Sequence, residues 1–344
     1  MSKATLQQSV ERYGLLGFLF LLIAFFAVMP ETSVGFMSQA NIQNLLANQS
    51  VTGILAIAMV IPLVCDHMDL SVPAIAGAAS VAFASVIGTY EQSLMTGILV
   101  ALAISLTIGC INGFLIAIGG LSSFVVTLGM FTLLGGLLHW YTGGRTITEN
   151  IPEWLGSWGS YRVVGVPMAL VPLAVVAVGA WYLLMHTSFG RELESIGDNP
   201  RAAKLVGLRV KRAVFLTFIV SSLLAATGGI ILTTRLGGAD PTAGTSYLFP
   251  AFAAVFLGAT VFRVGRYNVW GTIVGVFLTA VAVNGIALYG AAGWVTPAFN
   301  GIALIVAVGV STLAARRRAR GTVHTRAAED IPASSGAPEK AAAL

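Results

Sequence analysis

The 344-residue sequence has few charged side chains: Asp, Glu, Lys and Arg together make up 10% of it. A soluble domain typically carries about 25%. Hydrophobic residues make up 56%, and the mean hydropathy is +0.86. This scarcity of charge excludes an ordinary soluble domain. It predicts an all-α polytopic membrane protein.

Motifs of catalysis and metal binding are also missing. The two cysteines, Cys65 and Cys110, form neither a disulfide framework nor a CxxC site. The sequence contains no P-loop, so it does not bind ATP by that motif, and it has no HExxH, GxSxG or paired-carboxylate pattern. We therefore expect no enzymatic activity, no cofactor and no metal. The net charge of +5 indicates membrane topology, not nucleic-acid binding.

Ten apolar runs predict about ten transmembrane helices. They cover residues 14–29, 51–65, 70–88, 95–118, 123–141, 163–185, 213–234, 247–262, 269–288 and 297–314. A span needs roughly 20 residues, so the second and eighth runs fall short. We expect their ends to reach into polar structure or to break within the membrane. Residues 14–314 then form the transmembrane domain.

The basic residues orient these spans. With both termini inside, only Arg145, Arg162 and Arg235 face outward, and the other sixteen of the 19 Lys and Arg lie inside. This distribution predicts a cytoplasmic N-terminus over residues 1–13. It also predicts a disordered cytoplasmic tail over residues 315–344, where the sequence becomes rich in Arg, Ala, Ser and Pro.

The longest polar break, residues 186–212, lies on the inside in this topology. Asp198 or Asn199 can cap a helix, Pro200 suits its first turn, and Gly207 is placed to end it. These signals predict a short amphipathic helix between two spans. A soluble partner could bind this helix in a cleft, or the segment could be merely the longest inside loop.

Asp66, His67 and Asp69 form a cluster of ionisable residues between two closely spaced spans. They could be metal ligands or a proton relay, because ionisable groups in a membrane are functional candidates. The other interpretation is a polar turn, which we favour for Asp66 and His67. Asp69 stays open, since Asp-Leu-Ser can also cap the next helix.

A weak internal repeat accompanies this cluster. Asp69 and Asp240 each precede a Ser or Thr by two residues, and Asn112-Gly113 recurs as Asn284-Gly285 at nearly the same offset. Two inverted five-helix halves would explain the repeat, as would chance. Asn112, Thr127 and Asn284 are polar groups within apolar spans. They could line a solute path or form hydrogen bonds between helices.

Three stretches together resemble the membrane permeases of sugar ABC importers of the ribose, xylose and arabinose type. They are 58–72, with Asp69-Leu70-Ser71-Val72; 190–210, with Gly197-Asp198-Asn199 and Ala202-Ala203; and 241–260. The resemblance extends over about residues 14–314. The chain differs from the family at Pro73, where Gly is usual, which we expect to alter the start of the third span. It also has residues 262–266 in place of a Gly-rich turn.

The resemblance implies partners and roles. The chain would be the permease for a monosaccharide or related polyol in a bacterial inner membrane, with a second permease copy, a separate ABC ATPase subunit and a periplasmic or lipid-anchored binding protein. The coupling segment for the ATPase would contain Gly197, Asn199, Ala202, Ala203 and Gly207, with the two small alanines admitting the partner surface. The solute path would contain Asp69, Asn112, Thr127 and Asn284.

Two alternatives remain at this point. A branched-chain amino-acid ABC permease is a related possibility, although a path for a zwitterion would be expected to carry more charge. An ion-coupled secondary carrier would need a buried carboxylate or a cation site, for which Asp69 is the one candidate.

Overall fold

The computed structural model describes residues 3–159, 161–163 and 165–309. The tail predicted for residues 315–344 lies outside the described residues. The helices are α1 (Lys3–Val28), α2 (Ser33–Phe36), α3 (Gln39–Val64), α4 (Val72–Ala84), α5 (Leu94–Gly113), α6 (Ser123–Thr142), α7 (Glu153–Trp158), α8 (Leu170–His186), α9 (Ser188–Asp198), α10 (Pro200–Leu205), α11 (Val210–Leu236), α12 (Leu248–Gly258), α13 (Val269–Leu288) and α14 (Val295–Gly309). Strands β1 (Arg162–Val163) and β2 (Val166–Pro167) pair antiparallel, with Arg162 opposite Pro167.

The helix lengths confirm an all-α polytopic membrane protein. Six helices of the described chain are long and apolar enough to span a membrane, counting the π-helical turns Ser85–Thr89 and Phe114–Ile118 with α4 and α5. A seventh span results if α8 and α9, which meet at a bend of 70°, are counted as one. Three further apolar helical stretches are shorter. They are Tyr13–Val28 within α1, Thr245–Gly258, which includes α12, and Val295–Gly309, which is α14.

The second span is longer than the sequence suggested. The second apolar run was predicted over residues 51–65, but α3 begins at Gln39 and runs for 26 residues. The Ser38 side chain caps it by accepting a hydrogen bond from the Asn41 N–H at 3.2 Å. Gln43 and Ala47 are buried. One side of the amide-rich start of α3 is therefore packed against protein, which mean hydropathy does not show.

The eighth span is short, as expected, and its end does reach polar structure. Helix α12 ends at Gly258, and the Asn268 side-chain amide donates to the carbonyls of Gly258 at 3.2 Å and Val261 at 3.0 Å. Carbonyls at a helix end have no partner within the helix, so this side chain satisfies them. The same Asn268 caps α13 through its oxygen, which accepts from the Gly271 N–H at 2.7 Å.

The core is built around α3 and α11. From Val51 to Leu63 nearly every side chain of α3 is buried, and α11 packs against α3, α4 and α5. Large apolar side chains on α5, α6 and α8 are exposed. That distribution fits helices that face lipid around a packed centre.

Small residues let the helices approach closely. A Cβ on Gly113 of α5 would lie 2.9 Å from the Phe215 ring of α11, and one on Gly275 of α13 would overlap the Ala254 carbonyl of α12. Gly229 of α11 likewise lies against the Ala76 backbone. Close backbone contact at small residues is typical of helix packing in membranes.

The bundle has two ends, which we name by their short helices. At the α10 face lie α9, α10 and the start of α11. At the α7 face lie α7 and the end of α11, where the Arg235 guanidinium donates to the Gly159 carbonyl at 3.1 Å. Helix starts also repeat along the chain: α3 begins at 39 and α11 at 210, an offset of 171 residues that also separates Asp69 from Asp240.

Candidate solute path and coupling surface

A polar cavity of about 380 Å³ opens beside the first turns of α3. Its volume lies at the lower end of the range typical of small-molecule sites. Helices α3, α12, α13 and α14 and the turn before α12 line it, and none of the described residues in its wall is charged. Eleven of the sixteen residues in its wall carry an amide or a hydroxyl side chain. They are Asn41, Asn44, Asn48, Gln49, Thr52, Ser246, Tyr247, Thr279, Asn284, Thr296 and Asn300.

Two amides of the cavity wall pair with each other. The Asn284 amide donates to the Asn41 oxygen at 2.9 Å, and the Asn41 amide donates back to the Asn284 oxygen at 2.9 Å. The Asn41 amide also donates to the Phe36 carbonyl at 3.1 Å. This reciprocal pair joins α3 to α13 and fixes one side of the cavity.

Other amides of the wall are available to a solute. Among the described residues, the side chains of Asn44, Gln49 and Asn300 make no hydrogen bond. An amide supplies two donors and an acceptor, which complement the hydroxyl groups of a polyol. Asn48 is engaged on one side only, accepting from the Arg235 guanidinium at 2.8 Å.

Asp69 and Asn112 lie elsewhere, in a buried network away from this cavity. The Asp69 carboxylate accepts from the N–H of Ser71 at 3.0 Å, from the Ser71 hydroxyl, and from the Ser221 hydroxyl at 3.2 Å. The Asn112 amide donates to the Ser71 hydroxyl at 2.9 Å. The network ties the break between α3 and α4 to α5 and α11, as interhelical hydrogen bonds do.

Thr127 stabilises the same break from α6. Its hydroxyl accepts from the Leu70 N–H at 3.1 Å and donates to the Ser123 carbonyl at 2.8 Å. Of the polar residues assigned to a path from the sequence, the structure therefore places Asn284 in the open cavity. It places Asp69, Asn112 and Thr127 together around the start of α4, where each is at most 1% exposed.

The first residues of the ionisable cluster form a turn. Asp66 is exposed and adopts a positive φ of 62°, and His67 is half-buried with its ring 6.3 Å from that of Phe218. Within the described ranges, no three His, Cys, Asp or Glu side chains gather in a way that could hold a metal ion.

The structure contains the same type of turn at Asp69 and at Asp240. The Asp240 carboxylate accepts from the N–H and the hydroxyl of Thr242, both at 2.7 Å, just as Asp69 accepts from Ser71. These two hydrogen bonds from Thr242 lower the pKa of Asp240 below its usual value. The two break segments thus share one turn geometry in different surroundings, one buried and one partly exposed.

At the α10 face the chain forms two short helices. Sequence reasoning placed a loop at residues 186–198 and missed α9. The Thr187 hydroxyl caps α9 by accepting from the Gly190 N–H at 3.3 Å, and Leu193 and Ile196 are fully buried at helical spacing. A Cβ on Gly197 would overlap the Val64 carbonyl at the end of α3. Glycine at 197 therefore lets α9 lie directly on the bundle.

Helix α10 follows, and here the sequence prediction is confirmed. The Asn199 oxygen accepts from the N–H groups of Arg201 at 3.1 Å and Ala202 at 3.0 Å, and Pro200 lies in the first turn. Gly207 takes a φ of +89°, which favours glycine and ends the helix.

The outward face of α10 differs from the one expected. Ala203 was expected to meet a partner, but it is 3% exposed and packs against the rest of the chain, because it points inward one turn after the cap. Leu205 and Val206 are instead 88% and 77% exposed. Two adjacent apolar side chains this exposed form a small projecting surface, which sequence spacing did not single out.

Comparison with known proteins agrees with this architecture. A family model described as the permease component of the branched-chain amino acid transport system matches residues 41–308. The ribose import permease protein of Escherichia coli strain K12 is 32% identical over 291 residues, 83% of this chain and 90% of that protein. A probable ABC transporter permease protein of the same strain is 31% identical over 320 residues, 92% of this chain and 95% of that protein.

A third relative extends over even more of its own length. The xylose transport system permease protein of Haemophilus influenzae strain Rd is 28% identical over 365 aligned residues, 88% of this chain and 96% of that protein. Together with the family match over most of its length, these relatives show that the chain belongs to the family of branched-chain amino acid transport system permease components.

Proposed function

We propose that this chain is the membrane permease of a bacterial ABC importer and that it passes a neutral monosaccharide or related polyol. The observation that carries the proposal is the cavity beside α3, whose described wall is rich in amides and hydroxyls and has no charged side chain. The ribose and xylose permeases among the relatives point to the same class of solute.

The same cavity argues against an amino-acid solute. An amino acid carries a carboxylate and an ammonium group, and a charge that leaves water is costly unless it is paired. Arg235 lies next to the wall, but its guanidinium already donates to Gly159 and Asn48. A hydroxylated neutral solute needs only the hydrogen bonds that the wall offers.

The orientation of the chain follows from its charges. The α10 face carries the basic residues of the segment 186–212, so we assign it to the cytoplasm and the α7 face to the outside. The polar cavity then lies in the outer half, where the amide-rich start of α3 is placed. In this arrangement a periplasmic or lipid-anchored binding protein delivers solute at the α7 face, and a second permease copy completes the path.

The ATPase subunit binds at the other end. Leu205 and Val206 project from α10 and are the most exposed large apolar side chains of the described segment between α8 and α11. An apolar pair of this kind suits a groove on a soluble partner. We assign Ala203, Gly197, Asn199 and Gly207 to holding and shaping α10, with Ala202 and the apolar pair at the partner surface.

The proposal is tested by transport in proteoliposomes that contain the permease, its ATPase and its binding protein. A panel of D-ribose, D-xylose, other pentoses and hexoses, and L-leucine is offered with internal or external ATP. The proposal predicts uptake of at least one sugar that requires ATP on the cytoplasmic side and no uptake of leucine. Uptake of leucine with no sugar, or uptake driven by a proton gradient without ATP, would overturn it.

A further inference from the structure

Four charged residues join α9 to the turn between α12 and α13. The Arg263 guanidinium donates to both oxygens of Glu194, and the longer of these two hydrogen bonds measures 3.4 Å. Arg266 lies 3.6 Å from Glu194 and donates to both oxygens of Asp198, at 3.2 and 3.0 Å. We call Glu194, Asp198, Arg263 and Arg266 the charge clamp. It places two acids of one segment against two arginines of the other, so its formal charges cancel.

The clamp begins next to α10. Asp198 is the last residue of α9 and Asn199 is the cap of α10, so the two helices are joined through a single residue. The inner side of α9 is held by the buried Leu193 and Ile196 and by the close contact of Gly197 with Val64. A displacement of α10 would therefore act on the Asp198 end of α9 through this single connecting residue.

The other end of the clamp leads to the polar cavity. Arg266 lies three residues before α13, and the Asn268 side chain fastens the turn to the ends of both α12 and α13. Gly258 packs directly on the start of α13. The turn thus forms one unit with α13, the helix that carries Thr279 and Asn284 in the cavity wall.

We propose that the charge clamp transmits movement of α10 to α13 and so couples ATP hydrolysis to the polar cavity. This inference rests on the proposed function, which takes α10 as the element that binds the ATPase. The four side chains are partly exposed, with 29 to 65% of the side-chain area accessible. Ion pairs this exposed add little to the free energy of folding. We therefore assign the clamp a role in positioning α9 relative to the turn between α12 and α13. A pocket of about 340 Å³ lies beside the clamp, which leaves room for its side chains to shift.

The test replaces the shared acid. Glu194→Gln keeps the size of the side chain and removes its charge. We expect normal insertion and normal retention of the ATPase. Solute transported per ATP hydrolysed should fall by at least about fivefold, the lower end of typical coupling between sites. Arg263→Gln should also lower this ratio, and the double variant should be no worse than Glu194→Gln, because the acid with which Arg263 pairs has already lost its charge in that variant.

The matched control is Glu192→Gln, on the same helix and with the same change of charge. Glu192 makes no ion pair or hydrogen bond among the described residues. The Glu192→Gln variant should keep the parental ratio of solute transported to ATP hydrolysed. Glu194→Asp should recover part of the ratio that Glu194→Gln loses. An unchanged ratio in Glu194→Gln, or loss of ATPase binding by that variant, would overturn the proposal.

A second readout does not depend on the solute. In a background with Cys65 and Cys110 replaced by serine, spin labels at Gln92→Cys and Tyr289→Cys measure the position of the end of α13 in the complex with its ATPase. Both sites are exposed. We expect ATP to change this distance in the parent and in Glu192→Gln but not in Glu194→Gln. An equal change in Glu194→Gln would contradict the clamp, whereas failure of every sugar in the uptake panel would contradict the proposed function alone.

Discussion

Asp69 shows how a carboxylate can be kept inside a membrane protein. It is 1% exposed and accepts hydrogen bonds from a backbone N–H and two serine hydroxyls, while Asn112 and Thr127 support the same break from α5 and α6. A buried polar group is tolerated when it is hydrogen-bonded. Asp69 therefore acts in the structure as a joint between helices.

Removal of this joint should destabilise the fold. In Asp69→Ala the hydroxyls of Ser71 and Ser221 lose their acceptor inside the bundle, at a cost of about 1–3 kcal/mol. Asp240→Ala removes the same turn geometry where Asp240 is only partly buried, so its cost should be smaller. Thermal unfolding of both variants in detergent measures the difference. Equal losses of thermal stability in the two variants would show that the burial of Asp69 does not add to the cost of removing it.

Gly197 is a second residue whose role depends on contact. In Gly197→Ala the new methyl group would overlap the Val64 carbonyl, and overpacking of this kind costs roughly 1–3 kcal/mol. Gly179→Ala on α8 is the matched control, because nothing lies within 4 Å of its Cβ position. We expect faster proteolytic cleavage near α9 and α10 in Gly197→Ala only. Cleavage at the parental rate would mean that α9 does not depend on this contact.

At the scale of elements, α10 illustrates what a local sequence can encode. Its cap, its first-turn proline and its terminal glycine all lie within nine residues, 199–207, so the prediction needed no tertiary information. Helix α9 also has local signals: Thr187 caps it, and Phe189, Leu193 and Ile196 recur at the i, i+4, i+7 spacing of one helix face. These signals lie inside a polar break, where the surrounding charges hide the short apolar face from a hydropathy average. What the sequence could not show is the surface at the end of α3 on which this face packs.

The docking role proposed for α10 is tested at its exposed tip. Leu205→Glu should leave insertion and stability unchanged, because the side chain is 88% exposed, but should weaken ATPase binding by placing a charge in an apolar groove. Ala203→Glu, by contrast, should dislodge α10 itself, because Ala203 is 3% exposed. Pull-down of the ATPase by membrane-inserted variants measures both.

The control for docking is Lys204→Glu, on the same helix and exposed, which changes charge without touching the apolar pair. We expect it to retain much more of the ATPase than Leu205→Glu. Parental retention by Leu205→Glu would show that the tip of α10 does not contact the ATPase.

At the scale of the whole molecule, the polar cavity could not be predicted from the sequence. Asn44, Thr279 and Asn300 are far apart in the chain and meet only when α3, α13 and α14 pack. The second span was predicted to begin at residue 51 and not at Gln39, because mean hydropathy counts polar residues against a span even where they line a cavity. The all-α class and most span positions were predictable, since long apolar runs need no partner to be recognised.

The topology of the whole chain is a separate prediction. The distribution of basic residues predicts that both termini are cytoplasmic, so a cysteine at Ser334 in a background free of Cys65 and Cys110 should not react with an impermeant thiol reagent in intact cells. A cysteine at Gln92, between α4 and α5 at the α7 face, should react. Labelling of the cysteine at position 334, or protection of the cysteine at position 92, would contradict the proposed orientation.

The central claim is that the cavity beside α3 carries the solute, and uptake by Asn44→Leu tests it most directly. The Asn44 side chain lines the cavity and makes no hydrogen bond among the described residues, so its loss should not disturb the fold. We predict uptake of the transported sugar to fall roughly three- to tenfold, as expected for one lost hydrogen bond of about 1 kcal/mol. ATPase retention should stay parental, and Gln92→Leu, which removes an amide outside the cavity, should transport normally. Equal uptake by Asn44→Leu, Gln92→Leu and the parent would contradict the claim.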